Sequence, residues 1–197
     1  MAGFAALVLA AGAGTRFGGG KLLAPYGTGL LLDGALAAAF AAPAEQVVLV
    51  TGFDAEKVAA AARACAERTG AGGRLRLVHA AAHARGLSAS LRAGLAALPP
   101  ETEGAFVFLA DMPRVPPALA GRLAGAIGER LAAAPAFEGR RGHPVLLRRA
   151  LFPRLADLEG DRGAGALLAG LGPDLALVDT DDPGVVFDVD TPGDLEA

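Results

Sequence analysis

The stretch FAALVLAAGAGTRFGGGKLL, residues 4–23, leads from an apolar strand straight into a glycine-rich loop. Glycines remove side chains where a backbone must approach an anion closely, and the loop has five of them: Gly12, Gly14, Gly18, Gly19 and Gly20. Arg16 and Lys21 add positive charge to the same loop. The stretch therefore predicts a buried strand followed by a phosphate-binding loop.

The lysine of this loop is unusual for the chain. Of 18 basic residues only Lys21 and Lys57 are lysines, so arginine is used almost everywhere else. A lysine ammonium is compact and meets phosphate oxygens differently from a planar guanidinium. We interpret Lys21 as a ligand for phosphate rather than as a solvated surface charge.

Length and composition limit the possible functions. The chain has 197 residues, 53% hydrophobic and 5% aromatic residues and a net charge of -3. No apolar run reaches the roughly 18 to 20 residues that span a bilayer, and the start lacks a signal-peptide pattern. A nucleic-acid partner is disfavoured because it needs a dense basic face or stacking rings. We expect one domain over residues 1–197, located in the cytoplasm, with neither a nucleic acid nor a membrane as partner.

Apolar runs alternate with amphipathic segments along the chain, which is typical of a mostly parallel sheet covered by helices on both faces. The pattern predicts strands at residues 5–10, 46–51, 75–79, 105–110, 144–147, 175–178 and 185–187. It predicts helices at residues 30–41, 54–68, 88–97, 118–130, 150–155 and 163–171. The expected fold is α/β, Rossmann-like and doubly wound.

Ligands of doubly wound sheets bind where the strand order reverses, above the carboxyl ends of the strands. If residues 5–10 and 105–110 flank this point, the glycine-rich loop and Asp111 open onto one cleft. A cationic loop that faces a carboxylate suggests a nucleoside triphosphate on the loop and Mg²⁺ on the acid.

The loop matches neither common nucleotide fingerprint. Phe17 stands where the dinucleotide pattern has its third glycine, and Leu22 follows Lys21 where a Walker loop has Ser or Thr. Six ordered motifs instead resemble the MobA-like nucleotidyltransferases, particularly the molybdenum cofactor cytidylyltransferases. They cover essentially the whole chain and lie at residues 9–23, 86–91 (GLSASL), 109–113 (LADMP), 141–145 (RGHPV), 160–164 (GDRGA) and 188–192 (DVDTP).

This resemblance implies the nucleotide-diphospho-sugar transferase type of fold and a set of site residues. The implied catalytic residues are Arg16, Lys21 and Asp111. The implied metal ligands for Mg²⁺ are Asp111 with Asp190 or Asp188. The implied nucleotide-binding residues are Leu9, Ala10, Ala11, Gly12, Gly14, Arg16, Lys21, Gly86, Ser88 and Ser90. The implied acceptor-binding residues are Arg141, His143, Asp161 and Arg162.

Several of these residues have a second interpretation. Ser88 or Ser90 could cap the helix that follows, and Asp188 or Asp190 could cap a terminal helix near Thr191. His143 could hold its loop by a hydrogen bond instead of touching the acceptor. Among the two C-terminal acids, Asp190 is our preferred metal ligand.

The chain also departs from the family pattern. Residues 79–85 (HAAAHAR) replace a common Asn-Pro-aromatic segment, and Gly165 stands where an arginine is usual. Recognition of an acceptor phosphate then depends more on Arg140, Arg141 or Arg162.

The expected activity is transfer of CMP from CTP to the terminal phosphate of a molybdopterin-type cofactor, with release of pyrophosphate. A molybdoenzyme could receive the product. The alternatives are a GTP-dependent or sugar-phosphate nucleotidyltransferase and a non-enzymatic chaperone that delivers the cofactor. A dehydrogenase is the weakest alternative, because the third glycine and the ribose acid are missing.

Overall fold

A mostly parallel, eight-stranded sheet organises the chain in the computed structural model, which describes residues 3–158, 160 and 164–196. The strands are β1 (Phe4–Ala10), β4 (Ala44–Thr51), β5 (Leu75–His79), β6 (Gly104–Leu109), β7 (Ala132–Phe137), β8 (Arg140–Arg141), β9 (Val145–Arg148) and β10 (Leu175–Asp179). They lie in the order β10-β7-β9-β6-β1-β4-β5, and β8 pairs with β7. A separate hairpin contains β2 (Pro25–Tyr26) and β3 (Gly29–Leu30).

The strand order reverses at β1. This strand pairs in parallel with β4 on one side and with β6 on the other, and β4 continues in parallel to β5. Leu7 lies opposite both Val48 and Val107. The carboxyl ends of β1 and β6 therefore meet at one edge, so the glycine-rich loop and Asp111 are neighbours, as predicted.

Helices cover both faces of the sheet, and they are α1 (Leu31–Ala41), α2 (Ala55–Arg68), α3 (Leu87–Ala96), α4 (Leu119–Ala126), α5 (Phe152–Ala156) and α6 (Gly165–Ala169). Side chains alternate between faces along a strand. Ala6 and Val8 accordingly pack in the layer of α1, α2 and α4, whereas Leu7 and Leu9 pack in that of α3, α5 and α6. Burial of each leucine contributes about 1.5 to 3 kcal/mol to the free energy of unfolding. The α/β, doubly wound prediction is confirmed.

Most errors of the sequence prediction lie in the second half of the chain, whereas the first half adds only the unpredicted hairpin of β2 and β3. Residues 185–187 are not a strand, because residues 183–185 form a 3₁₀ turn. Strands β7 and β8 were not predicted. The sequence of β7, AAAPAF, combines alanines with a proline and lacks the β-branched residues typical of strands. Helix α4 ends at Ala126 rather than at residue 130, and α6 spans only Gly165–Ala169.

The glycine-rich loop has the backbone geometry that its composition predicts. It contains two 3₁₀ turns, Thr15–Phe17 and Lys21–Leu23. Gly14, Gly18, Gly19 and Gly20 have φ angles of 60°, 93°, 94° and 65°. Side chains with a Cβ rarely adopt this left-handed region, so these glycines are required for the path of the loop.

Within residues 3–158, 160 and 164–196, no helix is both long enough and apolar enough to cross a membrane.

Candidate functional site

A cleft of about 750 Å³ lies above the carboxyl ends of β1 and β6. Ten of the predicted site residues line it: Leu9, Ala11, Gly12, Gly14, Arg16, Lys21, Gly86, Ser90, Asp111 and Asp190. Ala10 borders a smaller adjoining cavity. Ser88 is only 2% exposed and is not among the described residues that line the cleft. The structure therefore brings most of the sequence-predicted nucleotide site together.

Four charged side chains meet in this cleft, and we call them the charged cluster: Arg16, Lys21, Asp111 and Asp190. Lys21 Nζ donates a hydrogen bond to Asp111 Oδ2 at 2.7 Å and lies 3.6 Å from Asp190 Oδ1. Arg16 Nη1 lies 2.6 Å from Asp190 Oδ2. The Lys21 side chain is 11% exposed and that of Arg16 is 75% exposed. One lysine therefore joins two carboxylates that are 79 positions apart in the chain.

The local fold explains why Lys21 points into the cleft. The 3₁₀ turn that begins at Lys21 is anchored by Leu22, which is buried in the core. Gly14 lies directly beside the lysine stem, since a Cβ at this position would approach Lys21 Cβ to 3.0 Å. The missing side chain at Gly14 leaves space for Lys21 to reach Asp111.

Backbone hydrogen bonds place Asp190 opposite the loop. The buried Val189 donates its N–H to the carbonyl of Asp111 at 3.0 Å. Asp194 Oδ2 accepts hydrogen bonds from the N–H groups of Thr191 and Asp190 and from Thr191 Oγ1. These bonds lower the pKa of Asp194. Asp194, which lies inside the terminal 3₁₀ turn Pro192–Glu196, thus holds the backbone of Asp190 and Thr191 in place.

Asp188 lies close enough to Asp190 and Asp111 for their negative charges to act on its carboxyl group. Its pKa is raised, first by partial desolvation and then by Asp190 and Asp111. It is an exposed residue and is not among those that line the cleft. In the described part of the chain, no group of three or more His, Cys, Asp or Glu side chains is arranged to hold a metal ion. Among the described residues, the acids that line the cleft are Asp111 and Asp190.

The two serines after Gly86 do not cap α3. Gly86 occupies the N-cap position with φ 108° and no side-chain hydrogen bond caps the helix. Ser90 lines the cleft, and Ser88 donates its backbone N–H to the Gly160 carbonyl at 3.2 Å. Only Ser90 is therefore placed to meet a ligand.

The predicted acceptor side divides between two regions. Arg141 and His143 line a mostly apolar cavity of about 180 Å³ that shares Leu9, Leu87 and Leu109 with the cleft. Arg141 Nη2 donates a hydrogen bond to the Gly165 carbonyl at 2.9 Å. Asp161 and Arg162 lie outside the described residues.

His143 has a crowded environment. The backbone N–H of His143 donates to the backbone carbonyl of Val185 at 2.8 Å, and a Cβ on Gly142 would clash with that same carbonyl. Part of the residue remains accessible, yet desolvation of the imidazole lowers the pKa of His143 from 6.5 to about 4. Arg141 lowers this pKa further, whereas Asp111 opposes the shift. The imidazole is thus neutral at pH 7.

This pKa of His143 predicts a loss of stability in mild acid. Between pH 6.5 and about 4 the unfolded chain binds more protons than the folded one, so the free energy of unfolding decreases as the pH falls. The expected decrease from this group is at most about 3.5 kcal/mol, at about 1.4 kcal/mol per pH unit. Denaturant unfolding at pH 7 and pH 4.5 measures it.

The matched variant is His143→Gln, which retains hydrogen-bonding capacity but has no proton to gain in this range. Its free energy of unfolding is expected to vary less with pH than that of the wild type. The raised pKa of Asp188 acts in the opposite direction and is present in both proteins. Equal pH dependence in the two proteins would contradict a neutral, desolvated His143.

Sequence reasoning missed further residues of the cleft: Ala13, Thr15, Phe53, His83, Ala84 and Leu87. Phe53 lies two residues after the end of β4, at the same edge of the sheet as the glycine-rich loop, so its position shortly after a strand was an available signal. His83 lies in the segment that departs from the family pattern and carried no such signal.

A family model and two known proteins are similar to this chain over most of its length. A family model described as the MobA-like NTP transferase domain matches residues 6–177. The molybdenum cofactor cytidylyltransferase of Escherichia coli (strain K12) is 26% identical over 190 residues, which cover 96% of this chain and 92% of that protein. The nicotine blue oxidoreductase of Paenarthrobacter nicotinovorans is 31% identical over 194 residues, covering 94% and 91%.

Solved structures extend this result. Rv0371c from Mycobacterium tuberculosis H37Rv has a TM-score of 0.81 and 31% identity, with 100% of both chains covered. Its complex with manganese gives a TM-score of 0.76 at 29% identity, covering 98% of this chain and 96% of that one. Structural neighbours include nucleotidyltransferases of the nucleotide-diphospho-sugar transferase fold, which confirms the predicted type of fold.

Proposed function

Because the chain belongs to the family of MobA-like NTP transferase domains and is an enzyme of the nucleotidyltransferase type, we propose that it transfers CMP from CTP to a molybdopterin-type cofactor. The acceptor is the terminal phosphate of the cofactor, and pyrophosphate is released. The observation that carries this proposal is the contact of Lys21 with two carboxylates in a cleft lined by the glycine-rich loop.

The proposed reaction is a single in-line displacement. An oxygen of the acceptor phosphate attacks the α-phosphorus of CTP and forms the new P–O bond, while the bond to the oxygen bridging the α- and β-phosphates breaks. No covalent enzyme intermediate is needed, so catalysis consists of positioning and charge neutralisation. Arg16, Lys21 and the amides of the glycine-rich loop bind the departing pyrophosphate.

The donor set of the charged cluster fits a divalent cation. Asp111 and Asp190 offer hard carboxylate oxygens, both within 3.6 Å of the same Lys21 nitrogen. Mg²⁺ is usually bound by one or two carboxylates together with substrate phosphates, so a third acid is unnecessary. When bound, the ion would neutralise charge on the phosphates. The manganese complex of Rv0371c supports use of a divalent ion, and we propose Mg²⁺ for this chain.

The acceptor is proposed to bind beside Arg141 and His143. Arg141 is exposed at the mouth of the apolar cavity and can attract a phosphate, whereas the neutral His143 offers a hydrogen bond without a charge. Asp161 and Arg162 remain acceptor residues by prediction. A cytoplasmic location and a molybdoenzyme that receives the product also remain predictions.

The E. coli relative supports the choice of CTP and of a molybdenum cofactor. An enzyme that uses GTP as the nucleotide donor, or a different phosphorylated acceptor, would use the same charged cluster. A delivery chaperone would bind the cofactor in the cleft without catalysing a reaction. An oxidoreductase is a second candidate, because the nicotine blue oxidoreductase has the higher identity of the two relatives. Hydride transfer, however, needs neither the paired carboxylates nor the cations of the charged cluster.

Product identification tests the proposal. The protein is incubated with molybdopterin, Mg²⁺ and either CTP or GTP, and the nucleotide product and pyrophosphate are quantified. We expect a cytosine dinucleotide and equimolar pyrophosphate. Formation of a guanine dinucleotide would overturn the choice of CTP. Absence of any product with both CTP and GTP would overturn the proposed acceptor. A parallel arm with NADH, NADPH and quinone dyes measures reductase activity, which is expected to be absent.

A further inference from the structure

The cleft extends across the carboxyl ends of four neighbouring strands. In the sheet these strands follow one another as β6, β1, β4 and β5. Asp111 follows β6, the glycine-rich loop follows β1, Phe53 follows β4 and His83 follows β5. Since neighbouring strands lie about 4.8 Å apart, the row is roughly 14 Å long. This length is sufficient for a nucleoside triphosphate.

The two halves of this row differ in chemistry. The charged cluster occupies the half above β6 and β1, with Asp190 brought there by the contact of Val189 with Asp111. The lining from β4, β5 and the start of α3 consists of Phe53, His83, Ala84, Gly86, Leu87 and Ser90, which include no acid, lysine or arginine. A triphosphate on the charged half therefore directs its nucleoside towards Phe53 and His83.

Phe53 is one of two large apolar side chains that the structure shows well exposed, at 40%, the other being Leu177 at 57%. Its backbone is fixed because its N–H donates to the Ala11 carbonyl at 3.1 Å. The ring lines both the cleft and a small cavity beside Gly12 and Lys21. An exposed ring on a fixed backbone is suited to stack on a flat ligand.

Gly52, the residue before Phe53, leaves room for the ring of His83. A Cβ on Gly52 would approach His83 Cγ to 2.6 Å and the Ala11 carbonyl oxygen to 2.7 Å. His83 begins the 3₁₀ turn before α3, and its ring meets that of His79 edge-on at 6.2 Å. The absence of a side chain at Gly52 thus allows His83 to pack against the loop after β4, next to Phe53.

We infer that Phe53 is the surface on which the nucleobase of the bound triphosphate stacks, with His83 bordering the same subsite. The inference rests on the proposed function in one respect, namely that the ligand is a nucleotide. Stacking on an aromatic ring tolerates every base, so Phe53 contributes affinity for the nucleoside, and the edges of the base are left to neighbouring polar groups such as Ser90.

Direct binding measurements test this inference without any acceptor. Calorimetry in the presence of Mg²⁺ compares CTP, GTP and inorganic tripolyphosphate, which lacks a base. Phe53→Ala is expected to weaken binding of CTP and GTP about 10- to 100-fold and to leave that of tripolyphosphate unchanged. Phe53→Tyr retains the ring and is expected to bind all three ligands like the wild type. Leu177→Ala, at the other exposed apolar side chain, is the matched control and should alter nothing.

Three results would overturn the inference. Unchanged CTP and GTP affinity in Phe53→Ala would remove the stacking role. An equal loss of tripolyphosphate binding would show that Phe53 supports the glycine-rich loop instead. A wild type that binds none of the three ligands would overturn the inference and the proposed function together. Ring-dependent CTP binding without dinucleotide formation would leave the inference standing and overturn only the proposed acceptor.

Discussion

Replacement of Asp111 by alanine is expected to lower kcat at least about 1000-fold, the scale on which charge-stabilising groups act in phosphoryl transfer. Asp111 stands at the end of β6 and accepts the short hydrogen bond of Lys21. Its loss removes one of the two proposed metal ligands and leaves Lys21 with the longer 3.6 Å contact to Asp190. Initial rates of pyrophosphate release at saturating CTP measure the effect.

The fold is expected to survive this replacement, because the Asp111 side chain is 28% exposed and lies outside the core. Circular dichroism and thermal unfolding check this point. Asp179→Ala is the matched control, since Asp179 is an exposed acid at the end of the parallel strand β10. A folded Asp111→Ala enzyme with a near-normal rate would remove Asp111 from the chemistry.

Replacement of Lys21 by alanine is expected to lower kcat about 100- to 1000-fold, as for loss of one donor to a developing negative charge. The side chain is 11% exposed and its nitrogen lies between two carboxylates. Without it, Asp111 and Asp190 repel each other and one cation for the leaving pyrophosphate is missing. Lys21→Arg is expected to recover little of the wild-type kcat, because a planar guanidinium is larger than an ammonium group and the lysine stem lies tightly beside Gly14.

The control for this experiment is the other lysine. Lys57 is 71% exposed and pairs with Asp54 at 3.4 Å on α2. Such surface pairs contribute little to stability, so Lys57→Ala should retain wild-type kcat. If both lysine variants lose activity equally, or if Lys21→Ala retains it, the role proposed for Lys21 is wrong.

The sequence predicted those parts of the fold that local patterns determine. Strands β1, β4, β5 and β6 are apolar runs of ordinary length, and each lies within two residues of its predicted bounds. The glycine-rich loop was recognisable because residues with positive φ are nearly always glycine. Asp111 was recognisable because an acid directly after a central strand faces the ligand edge of a doubly wound sheet.

The remaining parts depend on tertiary contacts that no local pattern contains. Strand β7 consists of alanines, a proline and a terminal phenylalanine, and it is a strand because its first five residues are buried where it pairs with β9 and β10. Residues 183–185 form a turn because Gly184 packs against the Arg114 carbonyl, where a Cβ would clash. The position of Phe53 after a strand could indicate only that it lies at the ligand edge of the sheet. Its place in the cleft depends on β4 lying next to β1, which the sequence does not state directly.

The ion pairs of the charged cluster have a consequence for competition by small anions. Each cation of the charged cluster has a carboxylate partner, so a single orthophosphate that displaced Asp111 from Lys21 would leave the acid without its counter-ion. A polyphosphate that arrives with its own divalent cation can exchange partners with all four side chains at once. We therefore expect orthophosphate and other small monovalent or divalent anions to inhibit this enzyme only weakly, because they cannot replace the partners of all four side chains at once.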